Sequence, residues 1–122
     1  MEKNLVKSVG SIGQDNLIAK LTPAAETFGI KLAPLTAEAT IKRGTLLAKG
    51  ENGKYAIYGG SAVPSAILAD DVVVGTSKDE TGVAYRCGNF NPDAVIVKDG
   101  YTLTDDDIDT LRKYDIIFTQ ML

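Results

Sequence analysis

The apolar positions of this chain fall in short runs, each cut off by glycine, proline, asparagine or aspartate, and most of them alternate. "ATIKRGTLLAKG" carries Ile41 and then Leu46, Leu47 and Ala48, with Gly44 between them marking a bulge or a tight backbone approach. "KYAIYGG" sets Tyr55 and Ile57 on one face against Ala56 and Tyr58 on the other. Between these runs, Gly50-Glu51-Asn52-Gly53 supplies residues that tolerate positive φ, so the pattern predicts a β-hairpin. "SAILADDVVVG" predicts two strands turning at Asp70-Asp71, "TGVAYRCGNFN" and "DAVIVKDG" predict two more, and the closing "IIFTQML" predicts a strand that closes or edges the sheet. "DETG" at Asp79 to Gly82 reads as a hairpin loop. Short strands at this spacing predict a mainly β (α+β) fold, a small β-sandwich or partly open β-barrel.

The first 35 residues have a different texture. Gly10, Gly13, Pro23, Gly29 and Pro34 interrupt any long period, and only two apolar islands survive: Leu17, Ile18 and Leu21, then Phe28, Ile30 and Leu32 at a strand-like spacing of two. Two readings fit such islands. They join the domain's own sheet, or they belong to an arm that orders on a partner. The second gives an extended N-terminal arm over residues 1–35 and a β-rich domain over 36–122, with Leu17, Ile18, Leu21, Phe28 and Ile30 as the arm's binding residues.

One helix is strongly signalled. In "TDDDIDTLRKYD", Thr104 stands as N-cap, three aspartates occupy the first turn, and Arg112 with Lys113 occupies the last, so both ends oppose the helix macrodipole. The helix is expected near Asp105 to Tyr114, with Ile108 and Leu111 as its buried stripe. Consecutive aspartates point different ways around a helix, so capping explains Asp105–Asp107 better than a metal site does.

Composition narrows the chemistry. A chain of 122 residues, 44% hydrophobic and 24% charged, suits one compact domain. Its 13 basic and 16 acidic residues leave a net charge of −3, which offers no general attraction to nucleic acid or to an anionic membrane. No apolar run reaches the roughly 18 residues of a membrane helix, and the N-terminus lacks a signal-peptide core, so a soluble, unprocessed chain is expected. There is no histidine, which removes the usual general base and every imidazole triad. The lone Cys87 excludes an internal disulfide, fits an intracellular origin, and reads as a small buried hydrophobe rather than a nucleophile, because Arg86 falls on the opposite strand face. Adjacent Asp70 and Asp71 likewise face apart, and the Gly59–Val63 "GGSAV" lacks both the second glycine and the base of a nucleophile elbow. Neither a cofactor fingerprint nor a metal-ligand pattern is present. The expectation is a chain without catalytic, metal or cofactor site.

The order of elements resembles the head decoration proteins of tailed bacteriophages, the family of the lambda capsid-stabilising protein. The stretches that carry it run from about Thr36 to Val97: Gly44-Thr45-Leu46-Leu47 before a turn and an aromatic-ending strand, Ala66-Ile67-Leu68 before an acidic turn, and Gly88-Asn89-Phe90-Asn91 in a strand pair. The C-terminal helix and "IIFTQML" do not map clearly onto the lambda member. The resemblance implies a structural virion protein, made in the bacterial cytoplasm, that sits on the capsid exterior as a homotrimer, binds the major capsid protein and stabilises the expanded head. The alternative from another class is a monomeric β-barrel that binds a glycan or small ligand, with Tyr55, Tyr58, Tyr85 and Phe90 lining a groove.

Overall fold

A computed structural model describes residues 16–21 and 24–119. Nine strands and one α-helix follow in the order β1 (Ile18–Lys20), β2 (Glu26–Leu32), β3 (Ala39–Ile41), β4 (Leu46–Lys49), β5 (Tyr55–Ile57), β6 (Val63–Leu68), β7 (Val72–Val74), β8 (Glu80–Phe90), α1 (Asp105–Arg112) and β9 (Ile116–Phe118). The fold is mainly β: a closed five-stranded barrel with extra strands and one short helix. Around the barrel the strands run β8-β2-β5-β4-β6 and return to β8.

Alternation builds the barrel. Ile30 and Leu32 of β2, Leu47 of β4, Tyr55 of β5, Ala66 and Leu68 of β6 and Ala84 of β8 all turn inward and are buried. The intervening positions turn outward, as a period of two requires. β3 and β7 pair antiparallel as a separate two-stranded ribbon that adds Ile41 and Val74 to the same core.

The strand β8 is longer than the barrel needs. Its first part pairs with β2 and β6, while Gly88–Phe90 continue beyond them and become the centre of a second set, with β1 antiparallel on one side and β9 parallel on the other. A second core lies there, outside the barrel wall. Leu46, Ala48, Tyr58 and Ile67 face outward into it and meet Leu17, Phe90, Leu111 and Ile116. A fully buried aliphatic or aromatic side chain contributes about 1.5–3 kcal/mol, so neither layer is ornamental.

The "DAVIVKDG" run is not the predicted strand. Pro92–Ala94 form one 3-10 turn, capped by the Asn91 side chain accepting from Asp93 N–H, and the chain then crosses the second core as a strap. Ile96 exchanges hydrogen bonds with Gly44 and Leu46, and Lys98 N–H donates to the Tyr58 carbonyl, but only the single bridge Thr45–Ile96 forms. β1 and β9 already flank the end of β8, so the strap finds no side of that strand to join. Gly44 is needed at this crossing: its φ is +97°, and a Cβ would stand 2.8 Å from the Ala94 carbonyl oxygen.

Three further expectations are corrected. Glu80–Gly82 lie inside β8 rather than in a hairpin loop, since Leu32, Lys31 and Ile30 pair with them. Cys87 is half-buried, with its Sγ 3.5 Å from the Ala24 carbonyl, because the end of β2 does not cover it. Of the two readings of residues 16–35, membership of the domain's own sheet is the one observed. β2 pairs with β8 over seven positions, Leu17 is 1% exposed, and a boundary at residue 35 therefore cuts through the barrel. Residues 1–15 of the expected arm lie outside the described residues.

Candidate partner-binding site

The five residues assigned to an arm separate in the structure. Leu17 is in the second core and Ile30 in the first. Ile18 is half-buried on β1, whereas Leu21 is 66% exposed. Phe28 is half-buried and meets Tyr55 edge-on at 6.1 Å. Two of the five, Phe28 and Ile30, line a surface cleft of about 470 Å³ that runs between β2 and the β4–β5 turn.

The cleft exists because one barrel seam closes at a single point. β2 and β5 are parallel neighbours that pair only at Leu32 and Tyr55, where Ala33 N–H donates to the Tyr55 carbonyl at 3.0 Å. Upstream of Leu32 no residue of β5 lies opposite, because parallel β5 begins at Tyr55, and β2 faces the β4–β5 turn instead. The Gly50–Gly53 turn, with Gly53 at φ +82°, carries Lys49, Asn52 and Lys54 along the opposite wall. Lys54 pairs with Asp79 at 3.1 Å, while Lys31 and Lys49 are exposed and make no ion pair among the described residues. The sequence reading missed these three lysines. Lys49 and Lys54 flank the predicted turn, and Lys31 falls between the inward Ile30 and Leu32, so the signal was the polar phase of the same alternation.

The strongest polar cluster is elsewhere and holds the helix. Thr104 and Asp107 form a capping box: Asp107 N–H donates to Thr104 Oγ1 at 3.1 Å, and Thr104 N–H donates to Asp107 Oδ2 at 3.0 Å. The same buried carboxylate accepts from Tyr58 OH at 2.5 Å and from Tyr101 OH. Burial by itself would raise the Asp107 pKa, but the donors from Tyr101, Tyr58 and Thr104 outweigh it and hold the carboxyl below its usual range. Burial, and then the hydrogen bond to Asp107, push the Tyr58 phenol upward. A carboxylate so held is an anchor for α1, not a base poised near neutral pH.

A second clamp centres on Arg43. Its backbone N–H donates to Asp71 Oδ1 at 2.7 Å, and its Nη1 donates to the Ala69 carbonyl and to Tyr85 OH, each at 2.8 Å. The guanidinium also lies 5.5 Å from the centre of the Tyr85 ring. Asp70-Asp71 is the turn the sequence predicts, with Asp71 used to tie the β3–β4 connection down.

The aromatic groove of the alternative reading does not form from its four residues. Tyr55 belongs to the barrel interior and Tyr58 and Phe90 to the outer core, with the barrel wall between them; Tyr85 packs on Phe90 at 5.5 Å. Among the described residues no three His, Cys, Asp or Glu side chains gather as a metal site, and no helix is long and apolar enough to cross a membrane. Comparison with known proteins finds no matching family model and no matching curated protein.

Proposed function

We propose that the chain is a non-catalytic structural protein of a tailed-phage virion that binds the outside of the expanded head as a homotrimer, with the major capsid protein as its partner. One observation carries the reading. The three stretches on which the resemblance rests, well separated in sequence, come together as one packed unit: Leu46 pairs with Ile67, Ile67 pairs with Tyr85, and Leu46, Ile67 and Phe90 share the outer core. Convergence of the separate motifs on one structural unit supports a common fold with that family. A shell-binding protein also needs a rigid body, which a closed barrel with a second core supplies, and an exposed strand edge through which to attach.

The test is binding of the purified protein to expanded, undecorated heads, with oligomeric state measured by analytical ultracentrifugation. Saturable binding at three-fold sites and a trimer in solution or on the particle are expected. A protein that stays monomeric and ignores such heads sinks the reading.

A further inference from the structure

Among the described residues the seam of the barrel leaves backbone groups without partners, and their direction follows from the contact that closes it. Ala33 N–H points toward β5, since it donates to the Tyr55 carbonyl. Peptide groups alternate sides along a strand, so the N–H and C=O of Lys31 and Gly29 face the same way, toward the cleft these residues line, while the groups of the intervening residues face β8. The parallel Leu32–Tyr55 bridge also takes the Lys31 carbonyl, which accepts from Tyr55 N–H, so the groups left without a β5 partner are the Lys31 N–H and both groups of Gly29. Among the described residues the cleft therefore contains a short stretch of bare strand edge, within Phe28 to Lys31, in an otherwise closed barrel.

Its wall has a definite charge. Lys31 and Lys49 stand beside this edge without an ion pair among the described residues, and the cation of Lys54 is offset by Asp79. The site is thus locally positive on a chain whose net charge is −3. Space is also present: a Cβ added at Gly29 meets nothing within 4 Å. The aromatic floor is formed by Phe28 and Tyr55.

We propose that the β2 edge from Phe28 to Lys31 receives an extended, carboxylate-bearing peptide segment of the partner as an added strand. Main-chain hydrogen bonds to Gly29 and Lys31 hold the segment, and its carboxylates meet Lys31 and Lys49. In the setting of the proposed function the segment belongs to the shell subunit, and to that extent the inference rests on that reading.

Gly29→Pro tests it directly. Proline removes the Gly29 donor and fills the space in front of it, yet it is tolerated on a strand edge whose N–H is unpaired, so the barrel should keep its far-ultraviolet circular dichroism and melting point. The probe is a capped eight-residue peptide alternating glutamate with valine, titrated by NMR at low salt. Wild type should shift the amide signals of Gly29 and Lys31 on binding. Gly29→Pro and the double variant Lys31→Glu/Lys49→Glu should each weaken binding at least tenfold, and a lysine-for-glutamate peptide should not bind. Equal binding by wild type and Gly29→Pro overturns the inference, as does equal affinity for both peptides. So does self-association of wild type through this edge, abolished by Gly29→Pro, because the occupant is then a second copy. Head binding separates the two claims. Heads bound equally well by Gly29→Pro would remove the edge from the attachment while leaving decoration standing; peptide binding by a protein that ignores heads would do the reverse.

Discussion

The two cores lie on opposite sides of the same barrel wall, and they are made differently. The inner one is assembled from alternating strand positions, chiefly aliphatic, and contains Ile30, Leu32, Leu47, Ala66, Leu68 and Ala84. The outer one is assembled from pieces that share no local pattern: Leu17 just before β1, Tyr58 after β5, Phe90 at the end of β8, Leu111 from the helix and Ile116 from β9. It is also the aromatic and polar side, since Tyr58, Tyr101 and Asp107 meet there. The inner core closes the barrel, whereas the outer one fastens everything else to it. Leu46 and Leu47 are consecutive residues committed to different cores, so one β4 backbone transmits strain between them.

The sharpest way to break this division is to remove the segment both cores share. A chain starting at Leu35 lacks β1 and β2, and with them Leu17 and Ile30; it should show no cooperative thermal unfolding by circular dichroism. A stable, cooperatively melting truncation would mean that the barrel closes without β2. Next in size are single truncations within each core. Phe90→Ala and Leu68→Ala, both at fully buried sites, should cost about 3–5 and 2–5 kcal/mol in urea unfolding. Each should retain one transition; two separated transitions would make the cores independent units.

The helix anchor comes next. Asp107→Ala strips the acceptor from Tyr58 and Tyr101 and should destabilise by about 2–4 kcal/mol, without effect on the β2 edge. Its pH dependence has a fixed sign. Asp107 has a lowered pKa when folded, so its contribution is complete above the ordinary carboxylate pKa and is lost as pH falls through the folded value. Tyr58 has a raised pKa, so its contribution is complete below the unfolded value of 10.0 and is lost as pH rises beyond it. The wild-type minus Asp107→Ala difference in melting temperature should be flat between these limits and narrow in acid. The smallest effect belongs to Leu21→Ser at a 66% exposed site: within about 0.5 kcal/mol by urea unfolding.

How legible these layers were follows from how they are built. The hairpin across Gly50–Gly53, the strands around Asp70-Asp71 and the cap at Thr104 depend on neighbours in sequence, and pattern reading finds such things. The Val95–Val97 run has the composition of a strand and became a strap, because strand identity needs a free edge and β8 had none left. Asp107 looked like one of three interchangeable capping acids. Its place three residues after Thr104 is the local mark of a capping box, but only Tyr101 and the distant Tyr58 make it a shared, buried acceptor. The cleft is half visible: Phe28 and Ile30 fall in an apolar island, but the meeting of β2 and β5 at a single position is a property of barrel closure and leaves no mark in composition.

The long strand β8 also sets the order of events as the chain folds. β2 pairs with it over a long span of chain, as between Glu26 and Cys87, and β1 likewise waits for its far end, while β9 is added after it. On a ribosome, β2 emerges well before β8 exists, so the barrel cannot close until most of the chain has been made. Contacts this distant carry a large loop-closure entropy, which places folding toward the slow, millisecond-to-second end of the range for small domains. During that interval both edges of β2 are exposed, and Lys31 beside them discourages premature pairing between nascent chains.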